Sequence, residues 1–343
     1  MRKYLSFLLM FVILLFQLYR ECRTDLATCH SMSQKKEAAL IFKREVNAFQ
    51  TAATKQIRKF FPSPHSELLL GMLLGIDDLK LIPTFNDVLK DTGTVHIVVV
   101  SGYNISLVFD LVIRLIGTKY KLRNLIAAQF VTLVYSVITG FEPPVIRAWI
   151  MGSIASWGKF YGRSIQALQV LVFSGLVMGI VNPHYLYSLS FQLSFLATLS
   201  LILYTNPISA FTKNFIKNDS FILTDLSTTL AAQVLVWPLI SYRFGRISLL
   251  SPLVNCLVLW NVPLATVLGG AFLFLSFIHA LPAQILFFVV YPPLEIFVEV
   301  VRFFAQFKVF ILNFQLDVRW LLAYYIALFI FPLFKSLKTA YAH

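Results

Sequence analysis

His96, Ser101, Asn104 and Ser106 interrupt a stretch, residues 94–108, that is otherwise apolar enough to lie in a bilayer, with Gly102 at its middle and Asp110 just beyond. Polar side chains in hydrocarbon are expensive and usually face a protein interior or a wet cavity, where they bind or conduct. The chemistry on offer is hydrogen bonding along a path. Ser101-Gly102 is the natural break in it, since glycine weakens a helix and serine can satisfy freed backbone groups. A helix broken at membrane depth is tolerated where it lines a cavity or is covered by neighbours, so the stretch reads as part of a pore or substrate path. Glu142 and Arg147 flank Pro143-Pro144 in a second polar segment, 140–148. Prolines and a glycine between apolar runs mark a helix break or re-entrant turn. The two charges are spaced to pair with each other, and an intramembrane charge defaults to function.

Catalytic constellations are missing from this inventory. Residues 152–159 mimic a nucleotide-binding loop, but the spacing is one residue too long and Phe160 stands where a hydroxyl residue is required. There is no HExxH pair, no His-rich cluster and no Cys-Cys spacing for a metal; His30, His65, His184, His279 and His343 are scattered. The chain is therefore expected not to be an enzyme and to need no cofactor or metal. ATP-driven work would fall to a partner.

The elements that must position these residues follow from composition. Of 343 residues 58% are hydrophobic and 13% charged, and the mean hydropathy is +0.76, which excludes an ordinary soluble domain. The expected class is an all-α polytopic integral membrane protein around a central polar path. It has roughly eight to ten spans of about 20 residues, some broken or re-entrant. The net charge of +13 fits cytoplasmic basic loops and anionic lipid, or else a polyanionic substrate. Cys22 and Cys29 pair if their segment is extracytoplasmic; Cys256 reads as a small core residue.

Along the chain, residues 1–19 read as an uncleaved signal-anchor helix, because no small-residue cleavage site follows the apolar run. Residues 20–66 form an extracytoplasmic segment with a basic amphipathic helix, in which Phe42, Val46, Phe49, Ala53, Ile57 and Phe60 share a face. Such a helix can rest in the lipid headgroup layer or capture nucleic acid. Residues 67–280 make the membrane core. In it Gly71 and Gly75 form a small-xxx-small pair for close helix packing, and a short helix around Phe85–Leu89 ends near Gly93. Pro252 and Pro263 with Asn255 and Asn261 predict a discontinuous helix, a form whose half-helix N-termini suit anions. Residues 281–343 complete the chain with further membrane helices.

Four ordered patterns together resemble the ComEC family of competence proteins, which bring single-stranded DNA through the cytoplasmic membrane. They are Gly93 and His96 with Ser101-Gly102; Gly140, Pro144, Arg147-Ala148 and Met151; Phe191-Gln192-Leu193-Ser194-Phe195; and Ala232-Gln233 through Pro238, Tyr242, Phe244-Gly245, Ser248 and Ser251-Pro252 to Asn255. The resemblance covers about residues 68–277. It implies that His96, Ser101, Gly102, Asn104, Glu142, Arg147, Gln192, Gln233 and Asn255 line or brace a DNA path. Arg147 would meet phosphates, because guanidinium binds them bidentately and stays charged in poorly hydrated places. It further implies a cytosolic ATPase or ssDNA-binding proteins as partners, an extracytoplasmic DNA receptor, membrane lipid and a homo-oligomer. Family members often carry histidine where this chain has Asn104, which removes a proton-relay or metal role there. The family's OB-like domain has only residues 20–66 in its place, and residues 281–343 are too short and apolar for its metallo-β-lactamase-like domain. Degradation of the non-transported strand, if it resides there, is then not expected of this chain. The rival reading is a secondary transporter for a small anion or another polyanion, using the same broken helices.

Charge alternation yields a topology test. Residues 20–66 are expected outside, with Lys119, Lys121, Arg123, Lys335 and Lys338 in the cytoplasm. In intact cells a cysteine at position 121 should escape an impermeant thiol reagent; labelling there would reverse the orientation.

Overall fold

The computed structural model describes residues 35–98, 101–117, 121–215 and 221–328. The anchor at 1–19, Cys22, Cys29, Lys335 and Lys338 lie outside these residues. Fifteen helices follow one another among the described residues: α1 Lys35–Phe60, α2 His65–Leu74, α3 Pro83–Thr92, α4 Val95–Val98, α5 Gly102–Ile116, α6 Leu122–Ile138, α7 Pro143–Phe160, α8 Ala167–Val181, α9 His184–Tyr187, α10 Leu189–Phe215, α11 Phe221–Phe244, α12 Ser251–Val258, α13 Asn261–Ile278, α14 Ala280–Ala305 and α15 Val318–Leu328. The sheet content is one short antiparallel pair, β1 Ile247–Ser248 with β2 Ile311–Leu312.

The all-α expectation holds, and the expected punctuation is present. Helix α3 stops at Gly93 in the left-handed region (φ 71°), where its amide closes on the Leu89 and Lys90 carbonyls. Residues 95–98 are helical, and α5 begins at Gly102 with Ser101 in extended backbone at its N-cap. The 251–278 run is split between α12 and α13. Eight to ten spans are not confirmed. Among the described residues four helices are long and apolar enough to cross a membrane: 95–116, 189–212, α13 and α14. Helices α2, α6, α8 and α15 are apolar but shorter among those residues. The 10 residues of α2 rise only about 15 Å, half of a hydrocarbon core of about 30 Å. Gly75 ends α2 in the left-handed conformation, which holds it to that length.

Packing divides the helices into two clusters whose segments interleave along the chain. The first joins Ala53, Leu69, Leu89 and Val98 from the N-terminal helices to Val258, Phe272, Leu294 and Val298 from α12–α14. The second joins Leu171, Phe195, Leu235 and Tyr325 from α8, α10, α11 and α15. Between them α5, α6 and α7 pack through Ile105, Val145, Tyr135 and Trp149. The C-terminal part of the α1 stripe packs inward rather than on lipid: Ala53 and Ile57 are buried in the first cluster, and Phe60, with the following Phe61, stands edge-on to Phe272, while Phe49 remains exposed. Arg58, on its basic face, is paired with Asp78 at 2.8 Å. Helix α14, from the 281–343 segment, is part of the same cluster as α2.

Helix α11 shows how apolar surroundings handle a proline. Pro238 has no N–H for the Val234 carbonyl four residues back, and the Tyr324 hydroxyl donates to that carbonyl at 3.0 Å. Tyr325 donates to the next one, Leu235, at 2.8 Å. One turn earlier the Ser200 hydroxyl enters the opened ladder, accepting from the Leu235 amide and donating to the Ala231 carbonyl. A side chain inserted in this way is one of the recognised causes of a helix bend.

Of the pair Gly71 and Gly75, Gly71 mediates close approach. A Cβ there would stand 2.5 Å from the Val98 carbonyl oxygen, whereas at Gly270 nothing lies within 4 Å. Gly71→Ala should therefore destabilise by about 1–3 kcal/mol, since backbone cannot yield as a side chain can. Gly270→Ala should be neutral or stabilise by up to about 1 kcal/mol. Thermal unfolding of both purified variants in detergent checks the contrast, and equal melting temperatures would refute it.

Candidate functional site

The turn between α6 and α7 prepares the site. Gly140 and Phe141 both have positive φ (79° and 55°), and their amides bond back to the Val137 and Ser136 carbonyls. Pro143 and Pro144 then open α7, where a missing amide hydrogen does no harm. The start of α5 rests on this start of α7. A Cβ at Gly102 would be 2.8 Å from the Ala148 Cβ and 3.3 Å from both the Pro144 carbonyl oxygen and Arg147 Nη2. Only glycine allows that approach. Two helix N-termini are thus brought together; the free amides are those of α5, since α7 opens with two prolines and its next two amides bond the Glu142 carbonyl. Neither Ser101 nor Glu142 caps its helix with a side-chain hydrogen bond.

Arg147 lies at this junction, half-buried. Its Nε donates to Ser194 Oγ at 2.8 Å, its Nη1 approaches Met151 Sδ at 3.5 Å, and the guanidinium stands 5.9 Å from the Phe195 ring centre. The ion pair with Glu142 allowed by the sequence is not made: Glu142 is half-buried at the N-cap of α7, and among the described residues no carboxylate pairs with Arg147. The guanidinium is held by a hydroxyl, a thioether and an aromatic face, none of which cancels its charge. Segments 101–102, 144–151 and 194–195, separate in sequence, therefore meet at one place.

A second polar cluster forms where α3, α11 and α12 meet. Gln233 Nε2 donates to Ser251 Oγ at 3.0 Å, Asn255 Nδ2 to the same oxygen at 3.4 Å, and Ser251 Oγ to the Gly93 carbonyl at 3.4 Å. A Cβ on Gly93 would collide with Ser251 at 2.7 Å. The His96 ring is directed at the same Gly93 carbonyl and is exposed.

The remaining candidates are placed as braces. Asn104 is buried and donates to the Met72 carbonyl at 2.8 Å, while Tyr135 donates to the Leu73 carbonyl at 3.1 Å; together they satisfy the end of α2. Gln192 is buried, with its amide 3.4 Å from the Leu186 carbonyl. Ser194 and Ser251, the acceptors that organise the two clusters, were not singled out from the sequence as site residues. Serines in apolar helices most often bond back to their own backbone, so only their place inside the quoted patterns marked them. Among the described residues no group of His, Cys, Asp and Glu could hold a metal ion.

Long apolar helices, two of them broken, and an uncompensated arginine at converging helix ends define an all-α membrane protein with a polar interior junction. The chain belongs to the competence protein family: the family model described as "Competence protein" matches residues 72–338. Curated relatives agree. ComE operon protein 3 of Bacillus subtilis is 31% identical over 185 residues, 52% of this chain and 22% of that protein. An uncharacterized protein of Aquifex aeolicus is 34% identical over 135 residues, 39% of this chain and 32% of the relative. The uncharacterized protein YcaI of Escherichia coli is 26% identical over 152 residues, 41% and 20%. The chain therefore matches about a fifth to a third of the length of these relatives. No solved structure matches it.

The bracing role of Asn104 has a measurable consequence. Asn104→Ala leaves the buried Met72 carbonyl without its donor and should destabilise the protein by about 1–3 kcal/mol. Melting of the detergent-purified variant reads this, and an undiminished melting temperature would remove the brace.

Proposed function

We propose that this chain forms the membrane channel that passes single-stranded DNA across the cytoplasmic membrane during natural transformation, spanning it several times with the shorter helices re-entrant. The observation that carries the reading is Arg147: a half-buried guanidinium, unpaired with any described carboxylate, at the meeting of two helix N-termini. A site of that electrostatic sign favours an anion, and membership of the competence family supports reading that anion as DNA. Phe195, buried against Phe191, backs the guanidinium and holds it in place. Conduction also needs weak, multiple contacts rather than one deep trap; Ser101 and the accessible His96 are neutral or weakly basic partners of that kind.

In this reading the exposed bases Lys121, Arg123, Lys159 and Arg163 hold the cytoplasmic side against anionic lipid. Strand delivery depends on an extracytoplasmic DNA receptor, and direction on a cytosolic ATPase or on proteins that bind the emerging strand. The sequence that mimicked a nucleotide loop, 152–159, is part of the continuous helix α7. A homo-oligomer belongs to the same proposal. The second reading, a carrier for a small anion, draws support from the two broken helices, 95–116 and 251–278.

Arg147→Gln separates these possibilities from a purely structural role. It should lower uptake of labelled DNA into a nuclease-resistant state about tenfold or more, the equivalent of one or two charge-assisted hydrogen bonds, while membrane abundance is retained. Arg147→Lys should recover only part, because ammonium keeps the charge and loses the planar fork. Adding Glu142→Gln should restore nothing. Uptake regained by that double variant would make Arg147 a brace, and undiminished uptake on deletion of the chain, with no second family copy present, would end the DNA reading.

A further inference from the structure

In the Ser251 cluster the hydroxyl faces the Gly93 carbonyl at 3.4 Å and accepts from both carboxamides, Gln233 and Asn255, whose nitrogens are turned to Ser251 and whose oxygens are turned away. Gln233 Oε1 and Asn255 Oδ1 are then left without a donor among the described residues. Gln233 and Asn255 are only 8% and 2% exposed, so bulk water does not relieve them. Buried carbonyl oxygens without a partner are costly, and two sharing one hydroxyl point to something that satisfies both.

The chemistry of that ligand follows from what the cluster offers. The uncommitted atoms of Gln233 and Asn255 are oxygens, and the Gly93 carbonyl beside them closes the C-terminal, partially negative end of α3. The charged groups flanking Gly93 are already matched, Lys90 with Asp87 and Arg246 with Asp91. Neutral carbonyl oxygens suit a hard cation, and a site without a carboxylate favours a single charge over a divalent ion. Further along the same broken helix, the carboxamide of Asn261 and the hydroxyl of Thr266 are also buried without partners, which extends a polar track from α12 into α13.

We propose that Gln233 Oε1 and Asn255 Oδ1 form a buried binding site for a monovalent alkali cation, sodium or potassium, at the start of α12 beside the end of α3. The site does not depend on DNA being the substrate, and its test involves no DNA. Purified full-length protein in detergent is melted at constant ionic strength in sodium, potassium or choline chloride. Sodium or potassium should raise the melting temperature saturably by roughly 2–4 °C over choline. Gln233→Met and Asn255→Leu should each abolish that difference. Should these variants fail to fold, direct binding of radioactive sodium decides. Wild-type protein should bind it displaceably, and Asn255→Asp, which keeps the shape and adds a charge, should tighten binding several-fold. Equal melting in choline together with no displaceable sodium would mean that the cluster holds water only and would overturn the proposal. So would a cation effect that persists in both variants, or an affinity unchanged by Asn255→Asp.

Discussion

Residue 102 has no room for a methyl group. The start of α5 lies so close to the proline turn of α7 that an added carbon would overlap Ala148 and crowd both the Pro144 carbonyl and Arg147. That contact decides where the two N-termini meet, and therefore where the guanidinium of Arg147 is held relative to Ser194 and Phe195 on α10. The middle helices α5–α7 stand between two separately packed clusters, so the Gly102 contact also fixes the seam between them. A bulkier residue would do more than fill a gap. It would separate the polar groups that only this approach brings together.

The same interior shows a consistent way of satisfying backbone groups where water is scarce. Carbonyls released at a helix end or by a proline are taken up by side chains distant in sequence. Asn104 and Tyr135 serve the end of α2, Tyr324 and Tyr325 serve α11 near Pro238, and Ser241 donates to the Phe314 carbonyl. Each such bond contributes only about 1 kcal/mol net. Leaving the carbonyl bare costs more, which is why hydroxyls and carboxamides recur in a chain with so few charges. Gln233 and Asn255 differ in that their nitrogens serve a hydroxyl rather than a carbonyl, and their oxygens, like that of Asn104, have no donor among the described residues.

Much of the local structure was legible because its signals are local. Gly93 stops a helix, Ser101-Gly102 interrupts one, and Pro143-Pro144 opens another, all through backbone rules that act within a few residues. The order of the four motifs was likewise readable. Their pairing in space was not. Nothing within either segment states that Ser194 receives Arg147, or that Asn104 reaches back to Met72 across 32 positions. Glu142 looked like the natural partner of Arg147 by proximity and charge, yet the N-cap position turns it into other surroundings. The stripe of α1 was read correctly as a helix face, but periodicity does not say whether lipid or Phe272 covers it.

Interleaving of the two clusters has a consequence for how the protein is made. Gly93 and Ser251 touch although 158 positions separate them, and the first cluster cannot close until α12–α14 have been synthesised. At about 5–20 residues per second, that gap lasts roughly 8–30 s. During this interval α2–α4 wait in the translocation machinery or bilayer with their inward faces uncovered. Nascent chains halted before residue 251 should therefore be targets for membrane quality control, and biogenesis rather than final stability becomes the step most vulnerable to slow synthesis.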